Sequence, residues 1–324
     1  MATASGKDIK FDIPLSNFAV AAFAEGADQF VGSQLFPSVS VARQSDKYYT
    51  FTKGSFLRVP GNTALRAPGT SAKKIEWEIS SDSYFAKNWA LTNEIPLEDL
   101  ANQDIAVGLR ENSTRVVVNQ LLRDQEQRIA NLVTSISNVG SGVVLSGTTK
   151  WSDYTNSDPI ATVNTAHAFI RNKTGLVANT MLMDYDTMQI VRRHPVLLDL
   201  YKYTSGGQLG DAEISAVFGV QTMLIGRAVK ENQVEGANAS SITNIWGNNA
   251  ILAYVAPPAE MGLQAKTLGA RFGWRDPIYP ADFGVLRSVQ NEAGQRHVEI
   301  LEAGHFQDEK IIATDLGYAI TTTI

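Results

Sequence analysis

The chain has 324 residues, of which 44% are hydrophobic and 19% charged, and its formal net charge is −5. That is an ordinary globular balance, enough for one large domain or two smaller ones, and it argues against a protein whose whole surface grips nucleic acid. There are no cysteines, which excludes disulfide stapling, thiolate metal sites and a cysteine nucleophile; no apolar signal core and no run of about 18 apolar residues occurs, so neither a signal peptide nor a transmembrane helix is expected.

Residues 1–42 read as an extended N-terminal arm with one short helix near 16–24. Its apolar residues need a partner surface, and another subunit is one candidate. Residues 43–85 read as a long β-hairpin. "KYYTFTKGSFL" alternates aromatic and polar residues, and "KKIEWEIS" places Ile75, Trp77 and Ile79 on one face and Lys74, Glu76 and Glu78 on the other. Period-two alternation with aromatics is the strand signature. The connection between them, about a dozen residues or more, exceeds an ordinary hairpin loop. Six basic residues and no acidic one lie between Lys47 and Ile75. The positive charge is thus concentrated where core-forming residues are fewest. Such a limb suits phosphate contact, a mobile lid, a solvated loop, or the acidic surface of another copy of the chain. Charge complementarity across a repeated contact favours the last.

Residues 96–137 change character, opening with Pro96 and acidic residues, a helix-start pattern. A proline-free run follows, in which Val118, Leu121, Leu122, Ile129, Leu132 and Ile136 recur at helical spacing. The spacing predicts a helix over about 104–137, roughly 50 Å long, ended by the glycines of "NVGSG". Residues 143–175 read as a short hairpin and then a helix stopped at Gly175. Between 178 and 284 the pattern is a buried strand ("ANTMLMD"), helix broken at Pro195, a glycine-rich loop ("TSGGQLGD"), a short helix, and further strands. Residues 285–324 supply strands that return to an earlier sheet. The whole is α+β, without the rhythm of a parallel βαβ fold.

Chemistry is sparse. His297, Glu299, Glu302 and His305 form the densest candidate metal or acid–base group, but on strands 302 and 305 need not share the face of 297 and 299. His194, before Pro195, reads as a helix-end histidine. "LSGTTK" lacks phosphate-loop spacing, "GSG" is not a nucleophile elbow, and "TSGGQLGD" follows a helix rather than a strand, unlike a dinucleotide fingerprint.

The order of parts resembles the major capsid proteins of tailed double-stranded DNA bacteriophages, the Hong Kong 97-like fold. The motifs "KYYTF", "LRAPGT", "SYFAKNWALTNEIPLED", "RRHPVLLDLYKYT" and "ISAVFGV" with "MLIGRAV" are similar to one large group of these proteins, over about residues 30–324. The resemblance implies an N-terminal arm (1–42), an extended loop (43–85), a peripheral domain with a spine helix (86–177), an axial domain (178–284) and a return to the peripheral domain (285–324). It implies a coat protein, not an enzyme and without a cofactor, that assembles through hexamers and pentamers into an icosahedral shell around DNA, in the virion, after assembly in the host bacterial cytoplasm. An encapsulin-like compartment shell is the alternative. Inter-subunit contact is expected from the loop residues Arg58, Arg66, Pro68, Lys73, Lys74 and Trp77, and Gly206, Gly207 and Gln208 are expected near a symmetry axis. The short arm makes a fused scaffold unexpected, and separate scaffolding, portal and decoration proteins are the further partners allowed. Lys53, Lys73 and Lys74 lie in the loop, but no catalytic carboxylate is identified, so cross-linking is not expected.

Overall fold

The computed structural model of the chain describes residues 9–11, 14–16, 19, 21, 29–51, 57, 59, 64–72, 74, 79–102, 108–201, 209–233, 241–262, 265–275, 279, 284–291 and 297–324. The first third contains β1 (Ile9–Phe11), α1 (Gly32–Leu35), β2 (Ser38–Val41), β3 (Ser45–Phe51), β4 (Ile79–Phe85), β5 (Lys87–Pro96) and α2 (Leu97–Asn102). Next come α3 (Leu109–Val133), α4 (Ile136–Val139), β6 (Gly142–Val144), α5 (Pro159–Thr174), β7 (Thr180–Asp184), α6 (Tyr185–Arg192), α7 (Pro195–Tyr201) and α8 (Asp211–Val217). The remainder is strand: β8 (Thr222–Gly226), β9 (Val229–Glu231), β10 (Ile242–Asn244), β11 (Asn249–Ala253), β12 (Gly269–Trp274), β13 (Gly284–Asn291), β14 (His297–Ile311) and β15 (Gly317–Thr321). Among the described residues no helix is long and apolar enough to cross a membrane.

Local chemistry explains several boundaries. Asp158 caps α5 by accepting the Ala161 N–H at 3.0 Å, and Pro159 occupies the first helical position, where its missing N–H is harmless. Pro195 separates α6 from α7. His194 Nδ1 accepts the Val196 N–H at 3.3 Å, so its proton is on Nε2, which faces Ser157 Oγ at 3.0 Å. With that tautomer the ring is a donor to Ser157 and not a base for it. Every residue of β7 is buried, because β7 lies between β11 and β8 in the middle of a sheet.

Two large sheets form. The five-stranded sheet has the order β6-β15-β11-β7-β8. The six-stranded sheet is built on β14, which pairs with β5 over Val298–Gln307 along one edge. Its other edge carries β13 and then β12, and β1 and β2 extend these outward. β6 pairs in parallel with β15 and makes no hairpin, which corrects the short hairpin expected after residue 143. The C-terminal strand therefore sits beside both β6 and β11, while β12 belongs to the other sheet. Sheet membership crosses residue 284, because backbone pairing joins strands far apart in sequence.

α3 lies on the six-stranded sheet. Between the single buried residues Thr114 and Val133, its buried residues come in adjacent pairs: Val117 and Val118, Leu121 and Leu122, Gln125 and Glu126, Ile129 and Ala130. This face is wider than a single stripe because the helix packs on β14 and β5 and also meets α1. At 25 residues it is about 37 Å long. The expected continuous helix to 137 is interrupted: Ser135 is extended (φ −82, ψ 112), and Ile136 starts α4. Residues 103–107 lie outside the described set. The apolar arm residues Leu15, Ala19, Phe30 and Val31 are buried within their own chain, so the partner surface they required is internal.

Glu299 on β14 is 1% exposed and contacts Arg110 of α3 at 2.7 Å and Arg287 of β13 at 2.8 Å. Burial pushes its carboxyl up, but the two guanidinium groups outweigh that and hold it below the usual range. A depressed carboxyl stabilises the fold above its ordinary range and loses that contribution as pH falls through the native value. Glu299→Gln is expected to cost about 1–3 kcal/mol at neutral pH, with the difference shrinking in acid. Urea unfolding at pH 7 and pH 3 measures this; a difference that stays constant contradicts the pairing.

Candidate subunit interface

The hairpin is a two-stranded ribbon, β3 antiparallel to β4, with Tyr48 opposite Asp82 and Tyr49 opposite Ser81. Alternation puts Tyr48 and Tyr84 on one face. Both are buried, and both stack on Phe272 of β12, with centroids 5.2 Å and 4.8 Å away and interplanar angles of 27° and 17°. Offset aromatic stacking of this kind adds to burial. Tyr48 Oη donates to Asp82 Oδ2 at 2.9 Å, and Tyr84 Oη donates to the Arg43 carbonyl at 3.2 Å. Burial, then Asp82 itself, raises the Tyr48 hydroxyl above the usual phenol range. The main chain is tied down as well: the Phe85 N–H donates to Asp308 Oδ2 at 3.0 Å, and Ala86 N–H donates to the Gln44 carbonyl at 2.8 Å. The ribbon is thus clamped at its root.

Outward from the root the packing thins. Tyr49 and Phe85 point to the opposite face and are exposed. In the connection, Leu57 is exposed, and Val59 and Leu65 are 85% and 86% exposed. Exposed aliphatic side chains such as these are available for contact with another surface. Residues 67–70 make a turn in which the Thr70 N–H donates to the Ala67 carbonyl at 3.2 Å and Gly69 has φ +80. Proline at the second position and a left-handed glycine at the third are what a type II turn requires.

Arg66, Pro68 and Lys74 are exposed on this limb. Arg58, Lys73 and Trp77 lie outside the described residues, as do the alternating positions 75–78, Lys53, and the axial residues Gly206, Gly207 and Gln208. Residues absent from the sequence reading form the clamp: Phe272, Asp308 and Gln44. Phe272 is far from the hairpin in sequence, and no local pattern links the two. The candidate histidine–carboxylate group does not converge. Glu299 is taken by arginines, Glu302 accepts from the Tyr279 hydroxyl, and His297 is exposed. His305 is buried, and burial followed by Arg128 and Arg271 pushes its ring down to about 3. Among the described residues no group of three or more His, Asp or Glu is arranged to hold a metal ion.

No family model matches the chain. The major capsid protein of Burkholderia phage BcepMu is 27% identical over 300 residues, spanning 90% of this chain and 91% of that protein. Among solved structures, a phage-related protein from Bordetella bronchiseptica superposes with a TM-score of 0.73 at 22% identity, covering 97% of both chains. The capsid structure of cyanophage P-SCSP1u gives 0.60 at 10% identity, covering 88% of this chain and 86% of that one. The chain has the Hong Kong 97-like capsid fold.

Replacing Phe272, which is fully buried, removes the platform of the clamp. Phe272→Ala is expected to cost about 3–5 kcal/mol in unfolding and to make the ribbon the first site of limited proteolysis. Cleavage elsewhere first, with 45–85 intact, argues against the clamp.

Proposed function

We propose that this chain is the shell subunit of a phage head, a major capsid protein that works by assembly and not by a reaction. The observation that carries the reading is the ribbon: its root is seated on Phe272, its described residues other than Tyr48 and Tyr84 are exposed, its sequence is basic, and Leu57, Val59 and Leu65 in its connection are exposed. A two-stranded ribbon on its own is marginally stable in water. Contact with another copy supplies the missing burial, and the acidic remainder of the chain is the matching surface for Arg58, Arg66, Lys73 and Lys74. The capsid fold and the phage relative support the same role.

The finer reading follows from the resemblance. Subunits form hexamers and pentamers of an icosahedral shell around double-stranded DNA. The extended loop reaches across a subunit boundary, with Pro68 and Trp77 among its contacts, and Gly206, Gly207 and Gln208 lie near the capsomer axis. Residues 86–177 and 285–324 serve mainly as peripheral domain and 178–284 mainly as axial domain, with β12 and β15 pairing across that division. Assembly takes place in the host bacterial cytoplasm, with separate scaffolding, portal and decoration proteins as further partners. A net acidic shell suits this task, since a strongly basic lining would bind the packaged genome through its phosphates. An encapsulin-like compartment is the weaker alternative, because the relative by sequence is a phage coat protein.

The purified chain is expected to form closed shells, tubes or capsomer rings in velocity sedimentation and negative-stain electron microscopy. Replacing Arg58, Arg66, Lys73 and Lys74 together by Glu should abolish these while leaving the circular dichroism spectrum unchanged. Normal shells from that variant defeat the charge-complementarity argument, and a wild-type chain that stays monomeric even with a scaffolding protein defeats the assembly reading.

A further inference from the structure

The segment joining the N-terminal arm to the body is gripped by two buried side chains, one acidic and one basic. α1 is only four residues long, too short to sustain itself. Its amino end rests on Glu126 of α3: the Val31 N–H donates to Oε1 at 3.1 Å and the Gly32 N–H to Oε2 at 2.7 Å. The Trp246 indole N–H, beyond β10, also donates to Oε1, at 2.7 Å. At the other end, Arg271 of β12 donates from Nε to the carbonyl of Phe36, the residue that closes α1, at 2.7 Å. Glu126 and Arg271 are both buried. The carboxyl group is at the amino end and the guanidinium at the carboxyl end, the arrangement that the dipole of a helical turn favours when Glu126 is ionised. The fit is close: a Cβ on Gly32 would sit 2.6 Å from Glu126 Oε2.

We propose that this clamp is a latch for the N-terminal arm: with Glu126 seated the segment leading to the arm is held on its own subunit, and when Glu126 withdraws to water residues 31–36 open and the arm loses this tether. The arm's other described attachments include the three-residue strand β1 on β13, the Val285 N–H donated to Ser16 Oγ at 3.1 Å, and the buried Leu15 and Ala19. The latch does not depend on the assembly reading.

The surroundings give the latch a direction with pH. α1 and residues 245–246 bring no charged group. Arg271 on β12 acts on Glu126 directly. On β14, Glu309 is bound to Arg128 of α3 at 2.8 Å, and His305 stays neutral. Burial pushes Glu126 up to about 7 from an ordinary 4.5, against the pull of the Gly32, Trp246 and Val31 donors and of Arg271. The closed latch therefore binds a proton more tightly than the open one, and acid favours closure. Opening should increase up to about tenfold per pH unit between those values and level off above the upper one.

Hydrogen exchange of residues 31–36 in the full-length chain, corrected for the intrinsic pH dependence of exchange, tests this. Protection in the wild type is expected to fall at least about tenfold from pH 5.5 to pH 8, with a midpoint near 7. Glu126→Gln should abolish the dependence. Trp246→Phe should move the midpoint upward, because the lost N–H was pulling the carboxyl down. Equal wild-type protection at both pH values overturns the proposal, and so does a dependence that survives Glu126→Gln. If Glu126→Gln does not fold, a midpoint that Trp246→Phe leaves unmoved overturns it instead.

Discussion

Arg128 is the point at which the helix, the edge strand and the central strand are joined. Its guanidinium lies over the Trp89 ring of β5 at 3.7 Å and binds Glu309 of β14 at 2.8 Å. It also pairs with Asp124 one turn earlier on α3. Arg110 repeats the arrangement at the start of the helix with Glu299, and Gln125 meets Gln307 between them. From 110 to 128 the helix rises about 27 Å, and from 299 to 309 a strand rises about 33 Å. The comparable spans mean that α3 runs along β14 in the same direction. Such partly buried pairs add little over apolar packing, but removing one partner leaves a charge stranded. Their effect is therefore on position: any slide of the helix along the strand breaks several at once.

A frame held this way can carry a limb that is not itself stable. The ribbon root shares Phe272 with β12, which pairs with β14, so the orientation of the limb is referred to the same strand that seats α3. In the connection beyond the root, Leu57, Val59 and Leu65 are exposed among the described residues.

Much of the local structure is legible in the residues. The run of Thr180–Asp184 marks a central strand, Pro195 a helix break, and Pro68 with Gly69 a tight turn, because each depends on backbone constraints that act within a few residues. The long helix is also legible, yet its end is not. Ile136 keeps the apolar spacing after Ser135 has left the helix, and spacing alone cannot register a change of axis. The arm misleads in another way: Leu15, Phe30 and Val31 announce burial, but hydrophobicity has no address, and the surface that takes them is in the same chain.

The sequence by itself determined the class of structure, the charge division between limb and body, and the motifs shared with phage coat proteins, since composition, periodicity and turn chemistry are local properties. Only the tertiary structure decided which residues act together. Glu126 meets backbone groups of Val31 and Gly32, 95 and 94 positions away, and Arg271 meets Phe36 across 235. Phe272 sits under two tyrosines from the far end of the chain. Contacts over such separations are set by how strands pair and how a helix is laid on them, and no side chain in the pattern states in advance which distant partner will reach it.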